Sequence, residues 1–181
     1  MLYAGIDEAG YGPLLGPLCG GVSVFEVDGS PDDDTPCLWN TLQTVLTRSR
    51  RDSRGRISID DSKKLKGAGE NAHPLTHLER GVLAFASVTR ERNWLEGLDD
   101  TTLLAELGVD RPASPWYDTT TPLPLGRTRD ALRIDRSRLN RAIDRTGTTC
   151  AHLAARAIDA DDFNLRVQQS GSKAIVNWEL I

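Results

Sequence analysis

The sequence predicts an α/β fold, and three observations support that prediction. The 181 residues are within the range of one domain. Hydrophobic residues make up 39% of the chain and charged residues 27%, which excludes disorder throughout. Strand-like segments open the chain, and helical patterns dominate its middle and end. We therefore expect a single domain over residues 1–181.

The strand prediction begins at the N-terminus. Met1 to Ile6 form a short apolar run without charge, and Asp7 and Glu8 follow at once. This pattern is typical of a buried strand that ends in two carboxylates. A glycine-rich segment, Gly10 to Gly21, leads to a second strand-like run around Val22 to Val27. Two strands joined by such a turn predict a hairpin.

Helical spacing and turn signals define the remaining elements. Pro74 is expected at the first position of a helix whose core face carries Leu75, Leu78, Val82 and Phe85. A turn with an N-cap is expected over Asp159 to Asp162. The other predicted elements are short helices over Leu38 to Leu46 and Thr101 to Leu107, an irregular segment over Pro112 to Gly126, an Arg-rich helix over Leu132 to Ile143, a strand over Cys150 to Ile158, and a final helix over Phe163 to Ile181.

Composition narrows the class of protein. The net charge of −4 and the isoelectric point near 5.4 disfavour a protein that coats nucleic acid non-specifically. Cys19, Cys37 and Cys150 are widely spaced and form no CxxC pair, so neither a zinc site nor a disulfide framework is expected. No apolar run reaches the roughly 20 residues needed to cross a bilayer, and acidic residues interrupt any signal-peptide pattern. We expect a cytoplasmic monomer with no membrane partner.

The adjacent carboxylates of Asp7 and Glu8 are the first chemical signal. Carboxylate oxygens are the ligands of hard divalent ions such as Mg²⁺ and Mn²⁺. Successive strand residues point to opposite faces, so both side chains reach one ion only where the strand frays, and Gly10 and Gly12 permit fraying. The alternative is a solvated acidic pair at a strand end, which is common.

Two further segments carry polar or glycine patterns. Gly10, Tyr11 and Gly12 form a turn whose backbone is able to approach a ligand closely, or a hairpin turn that simply needs positive φ. Ser62, Lys63 and Lys64 follow Asp61 and offer donors to phosphate oxygens, or form an ordinary surface turn.

Taken together, these segments resemble one family. The stretch AGIDEAGYGPLLGP is similar to the opening signature of ribonuclease HII, and DSKKL is similar to that family's second recurring block. The stretch AARAIDADDFN is a weaker match to the strand, turn and helix entry that precede a long apolar helix in that family. Residues 66–147 match poorly and are interpreted as an insertion or a divergent region.

The resemblance implies a ribonuclease H-like mixed sheet with flanking helices. It also implies a metal-dependent endonuclease that cleaves the RNA strand of RNA–DNA hybrids, or ribonucleotide-containing DNA, by two-metal phosphodiester hydrolysis with Mg²⁺ or Mn²⁺. By motif, Asp7 and Glu8 correspond to two of the family's four metal-binding carboxylates. Gly10, Tyr11 and Gly12 correspond to the loop that recognises the ribose 2′-hydroxyl, and Ser62, Lys63 and Lys64 to the block that contacts the substrate backbone.

The sequence also departs from that family's pattern. Tyr11 occupies a position where the family has Arg; a tyrosine cannot make the same charged phosphate contact, although it can stack on a sugar or base. The family's third and fourth aspartates follow the long helix, and the sequence ends at Ile181 within an apolar helical pattern. We therefore expect a fold that is incomplete at its C-terminus, from either a fragment or a truncated relative.

Two other functional classes stay open at this point. One is a non-catalytic nucleic-acid-binding relative that lacks part of the metal site. The other is a small-molecule phosphate-binding α/β domain, supported only by the glycine turn. The Arg-rich segment Arg48 to Arg56 is interpreted as a solvated loop or a phosphate-contacting one, and His73 and His77 as surface histidines.

Overall fold

A computed structural model describes residues 1–10, 16–30, 34, 36–67, 73–91, 93–111 and 115–180. Within these ranges the protein is mixed α/β, with a three-stranded sheet in the order β1-β2-β5 and a separate parallel pair, β3-β4. The strands are β1 (Leu2–Ala9), β2 (Leu18–Val27), β3 (Leu46–Thr47), β4 (Ile57–Ser58) and β5 (Thr148–Ile158). The helices are α1 (Leu38–Thr41), α2 (Ser62–Leu65), α3 (Thr76–Val88), α4 (Asp100–Glu106), α5 (Arg129–Thr146), α6 (Ala160–Ser170) and α7 (Lys173–Leu180), and one 3₁₀ turn covers Pro115–Tyr117.

The predicted hairpin is present as β1 and β2. Met1 and Val27 exchange both backbone hydrogen bonds, each 2.9 Å long, which makes the pair antiparallel. If pairing continues residue by residue from Met1 and Val27, Asp7 lies opposite Gly21. The two residues are indeed close, since a Cβ built on Gly21 would lie 4.0 Å from the Asp7 carbonyl oxygen. The register therefore runs unbroken to the turn.

The prediction that the first strand is buried is wrong. Seven of the eight β1 residues are exposed, among them Leu2 at 71% and Ile6 at 54%. β1 is an edge strand of its sheet, whereas β2 lies in the centre and buries Leu18 and Phe25. Apolar residues alone did not distinguish the covered strand from the edge strand, because burial depends on what packs against each face.

The chain divides into two compact units. The first unit comprises Met1–Leu2, Phe25–Leu98 and Pro122–Cys150, and the second comprises Tyr3–Val24, Asp99–Thr121 and Ala151–Ile181. The core of the first unit is built around α3 and α5, which bury Leu83, Leu132 and Leu139 to 1% exposure or less. The core of the second unit joins Leu18 of β2 and Ile158 of β5 to α6 and α7 through Phe163, Val176 and Leu180.

Three helix predictions need correction. The helix expected over residues 38–46 ends at Thr41, and its last residues form a turn and β3. Pro74 is not the first residue of α3, because the helix begins two residues later at Thr76. The expected core face is also wrong in part, since Leu75 and Val82 are 41% and 45% exposed while Arg80 is buried. A buried arginine on this helix shifts the covered face in a way that an apolar pattern cannot reveal.

The single helix expected over residues 163–181 is two helices. Gly171 adopts φ +70°, and its N–H donates to the Val167 carbonyl oxygen, which ends α6. α7 then begins at Lys173. The N-cap predicted within Asp159 to Asp162 is Asp159. The helix α4, the Arg-rich helix α5 and the strand β5 are confirmed, with bounds that differ by a few residues.

No helix in the described ranges combines the length and the hydrophobicity that a membrane-spanning segment requires. Cys19, Cys37 and Cys150 are free thiols.

Candidate functional site

The carboxylates of Asp7 and Glu8 are both exposed on β1. The backbone N–H of Glu8 donates to Asp7 Oδ1 over 3.0 Å. Among the residues that the structure describes, neither carboxylate forms a salt bridge. Their remaining oxygens are therefore available to a cation, to water or to a substrate.

The strand geometry separates these two side chains. β1 continues to Ala9, one residue beyond Glu8, so the expectation that the strand ends at the carboxylates is wrong. Consecutive residues of a regular strand project to opposite faces, which directs Asp7 and Glu8 apart. The two carboxylates can hold one ion only if the last residue pairs between β1 and β2 open.

The turn after β1 explains the need for glycine at position 10. Gly10 has φ +83°, and a Cβ there would lie 2.6 Å from the Pro17 carbonyl oxygen. A side chain at this position would be strained and would collide with backbone. The hairpin itself therefore accounts for Gly10, while Tyr11 and Gly12 lie outside the described residues.

The segment containing Ser62, Lys63 and Lys64 forms the short helix α2. Asp61 caps it by accepting a 2.8 Å hydrogen bond from the Lys63 N–H, and Leu65 anchors it in the core at 2% exposure. All three candidate side chains are exposed. The Asp61 cap fixes the backbone, so the polar side chains are presented outward while the apolar one is buried.

Lys64 and Lys63 differ in their surroundings. Lys64 Nζ lies 3.3 Å from both carboxylate oxygens of Asp60. The pKa of Asp60 is lowered by the backbone hydrogen bond from Asp61 and, to a smaller extent, by Lys64. Within the described part of the chain, neither Lys63 Nζ nor the Ser62 hydroxyl has a hydrogen-bond partner. These two groups are the donors of this segment that are free for an anion.

The structure distributes the predicted site residues over both units. Asp7, Glu8 and Gly10 belong to the second unit, and Ser62 to Lys64 belong to the first. No group of three or more His, Cys, Asp or Glu side chains able to hold a metal occurs among the residues placed by the structure. In donor type, Asp7 and Glu8 fit Mg²⁺, which keeps several waters and uses one or two carboxylates together with substrate phosphate oxygens.

One buried charged pair was not anticipated from the sequence. Arg80 Nε and Nη2 donate to the two carboxylate oxygens of Asp135 over 2.7 and 2.6 Å, and both side chains are about 5% exposed or less. Arg80 also donates to the carbonyl oxygens of Arg56 and Gly55, each over 2.7 Å. It therefore connects α3, α5 and the Arg-rich segment. In a helix as rich in charge as α5, nothing in the spacing distinguishes Asp135 from its solvated neighbours.

Comparison of the chain with protein-family models, with curated proteins and with solved structures gave no match.

Proposed function

We propose that this protein is a metal-dependent endoribonuclease that cleaves the RNA strand of RNA–DNA hybrids. The observation that carries the proposal is the pair of exposed carboxylates, Asp7 and Glu8, neither ion-paired to a described residue, on a strand that leads into a glycine turn. The resemblance of this segment and of the DSKKL block to ribonuclease HII gives the pair its interpretation. A ribonuclease H-like arrangement of the whole sheet belongs to the same proposal.

The proposed roles follow from donor and acceptor chemistry. Asp7 and Glu8 are the ligands for Mg²⁺ or Mn²⁺. When bound, such ions activate a water molecule and stabilise the leaving oxygen during in-line attack at the phosphodiester. Ser62 and Lys63 donate to substrate phosphate oxygens, and Lys64 does so after exchanging its contact with Asp60. In the proposed recognition of the ribose 2′-hydroxyl, the Gly10 to Gly12 turn supplies backbone groups and Tyr11 supplies a stacking surface.

A second candidate is a non-catalytic protein that binds RNA–DNA hybrids. The observation in its favour is the count of ligands, because two carboxylates on opposite faces of a strand make a weak divalent-ion site by themselves. The exposed donors of α2 would still contact a phosphate backbone in that case.

A cleavage assay with separate measurement of binding tests the two candidates. The full chain is incubated with a labelled RNA–DNA hybrid in Mg²⁺ or Mn²⁺, and binding is measured in parallel by fluorescence anisotropy without divalent ions. Losing a residue that hydrogen-bonds to a metal ligand lowers metal affinity or activity by about 10- to 100-fold. Asp7 is itself a proposed ligand, so Asp7→Asn should reduce the rate of cleavage by at least roughly 100-fold. Hybrid binding should be unchanged. Glu26→Gln, which removes an exposed carboxylate from β2 of the same sheet, is the matched control and should cleave normally.

Each outcome of this assay decides between the candidates. Cleavage that survives Asp7→Asn refutes the metal assignment. Tight hybrid binding by the wild-type chain without cleavage in either ion supports the non-catalytic alternative. Absence of both binding and cleavage excludes both functions.

A further inference from the structure

A group of three arginines and one histidine surrounds the first turn of α3. It comprises Arg50 from the Arg-rich segment, His77 and Arg80 from α3, and Arg127 from the segment before α5. The positive charges of Arg80, Arg127 and Arg50 each lower the pKa of His77, which indicates that all three lie near its imidazole. The group lies wholly within the first unit.

Two of these cations already have partners. Arg80 is engaged by the Asp135 carboxylate and by two carbonyl oxygens, so its donors are used. Arg50 Nη1 donates to the carbonyl oxygens of Lys66 and Gly67 over 3.2 and 2.8 Å, which fixes the position of this exposed guanidinium. The Asp135 carboxylate is thus committed to Arg80.

Arg127 has no such compensation. It is half-buried, and among the described residues it has no hydrogen bond and no salt bridge. Burial lowers the pKa of its guanidinium, and the neighbouring Arg80 lowers it further, against a smaller opposing effect of Asp135. Its donors therefore have no protein acceptor among the described residues, and they remain available to water or to a ligand.

His77 presents the second unpaired group. Its Nδ1 atom is buried and has no hydrogen-bond partner in the part of the chain that the structure describes. Burial lowers the pKa of the imidazole, followed by the charges of Arg80, Arg127 and Arg50. Among the described residues this nitrogen and the Arg127 guanidinium both lack a partner, and an acceptor between them would bond to both when Nδ1 carries the proton.

The position of Arg127 beside α3 is fixed by close packing. The Glu79 carboxylate accepts hydrogen bonds from the N–H groups of Leu125 and Gly126 over 2.5 and 2.8 Å. A Cβ on Gly126 would lie 2.8 Å from the Thr76 Cα atom, so only glycine permits this approach. Glu79 accepts these backbone donors and forms no salt bridge with Arg127 among the described residues.

We propose that Arg50, His77 and Arg127 form a binding site for a phosphate group. Three donors from three separate segments suit a tetrahedral oxyanion, which offers acceptors in several directions, better than a planar carboxylate. The site takes either free inorganic phosphate or a phosphodiester of a nucleic-acid backbone, which share this chemistry. It involves neither Asp7 nor Glu8 and is therefore independent of metal-dependent hydrolysis.

The charge distribution of the chain agrees with this assignment. The first unit contains 18 Lys and Arg against 15 Asp and Glu, whereas the second contains 4 against 11. The basic residues are thus concentrated in the unit that holds the proposed site, although the whole chain carries a net charge of −4.

Titration followed by NMR tests the proposal on the full chain. The imidazole signals of His77 and the Nε–H signal of Arg127 are recorded without divalent ions, first with inorganic phosphate and then with a short RNA–DNA hybrid, against chloride at equal ionic strength. We expect both residues to shift saturably and the pKa of His77 to rise, because a bound anion offsets the surrounding cations. Arg127→Gln should weaken binding about tenfold or more, the loss expected for a charged hydrogen bond.

Controls keep the result interpretable. Arg141→Gln, which removes an exposed arginine of α5 outside the group, should leave the affinity unchanged. His77→Gln provides a second variant if Arg127→Gln does not fold. Saturation by phosphate alone identifies a site for the free ion, and saturation by the hybrid identifies the phosphodiester as ligand. Shifts that chloride reproduces, or no shift with either ligand, overturn the proposal whatever the outcome of the cleavage assay.

Discussion

The buried pair of Arg80 and Asp135 shows how single residues hold the first unit together. Their bidentate contact and the two carbonyl acceptors of Arg80 satisfy the donors that burial would otherwise leave unpaired. Removing one partner leaves an uncompensated buried charge, which is strongly destabilising. This cost is far larger than the stability that the intact pair adds over apolar residues in its place.

Asp135→Leu should therefore lower the free energy of unfolding by about 3–5 kcal/mol, as measured by urea denaturation. The double variant Arg80→Met with Asp135→Leu should recover part of that loss, since no unpaired charge remains although the Arg56 and Gly55 carbonyl oxygens lose their Arg80 donors. Arg133→Met is the surface control: its side chain is 45% exposed and pairs with Glu96 and Asp130, so the loss should stay below about 1 kcal/mol. If Asp135→Leu and Arg133→Met lowered the free energy of unfolding equally, burial of the charge would not be the cause of the loss.

The thiol of Cys150 illustrates a residue-scale effect of burial on reactivity. Cys150 is 4% exposed, and burial raises its pKa from 9.0 to about 11, against a smaller opposing effect of Arg90. Since the thiolate is the reactive species, Cys150 should resist alkylation in the folded protein at pH 8, while the exposed Cys37 reacts. Mass spectrometry of peptides after timed labelling measures both rates, and equal rates would refute the assignment.

The same shift predicts a pH dependence of stability. The folded state holds the Cys150 proton more tightly than the unfolded chain does, so the protonated thiol contributes to the free energy of unfolding. That contribution is fully present below pH 9 and is lost as the pH rises toward 11. The variant Cys150→Ala should lack that alkaline loss in urea denaturation curves recorded across this range.

At the scale of elements, glycines determine where segments approach and where helices end. Gly171 stops α6 by adopting a left-handed conformation, and Gly126 brings its segment against the first turn of α3. The two roles differ physically, because the first depends on backbone conformation and the second on the missing side chain.

Gly126→Ala should destabilise the protein by about 1–3 kcal/mol, the usual cost of forcing an extra methyl into a packed contact. Its added Cβ would meet Thr76 Oγ1 at 2.4 Å and the Thr76 Cα at 2.8 Å, and backbone cannot move aside easily. Gly21→Ala is the matched control, since the nearest atom to its Cβ would be 4.0 Å away. A thermal or urea unfolding series in which both variants lose the same stability would refute the packing argument.

At the scale of the whole molecule, the net charge conceals an uneven distribution. A chain with a net charge of −4 contains a unit with 18 basic and 15 acidic residues. The expectation that this composition disfavours non-specific coating of nucleic acid is compatible with local phosphate contacts, because those depend on the charges within about a Debye length.

This distribution predicts a defined salt dependence of hybrid binding. If Lys63 and Lys64 contact phosphates, Lys63→Gln with Lys64→Gln should reduce the slope of log K against log salt by roughly 2, at about 0.9 per contact. Arg156→Gln, which removes an exposed cation of the second unit, should leave the slope unchanged. Anisotropy titrations from low to moderate salt measure both slopes, and an unchanged slope in the double variant would exclude α2 from the interface.

The amino-acid sequence by itself determined the elements that depend on local signals. The hairpin of β1 and β2, the helices α4 and α5, the strand β5 and the Asp159 cap follow from turn residues, periodicity and capping, which act over a few neighbouring residues. Asp7, Glu8 and Lys63 were also recognisable as candidates from local motifs, and their exposure is consistent with that. Only the tertiary structure decided which strand lies at the edge, which face of α3 is covered, and that Arg80 pairs with Asp135. It likewise brought Arg50, His77 and Arg127 together from segments that carry no common motif. Burial and charge pairing arise between residues far apart in the sequence, so no local pattern records them.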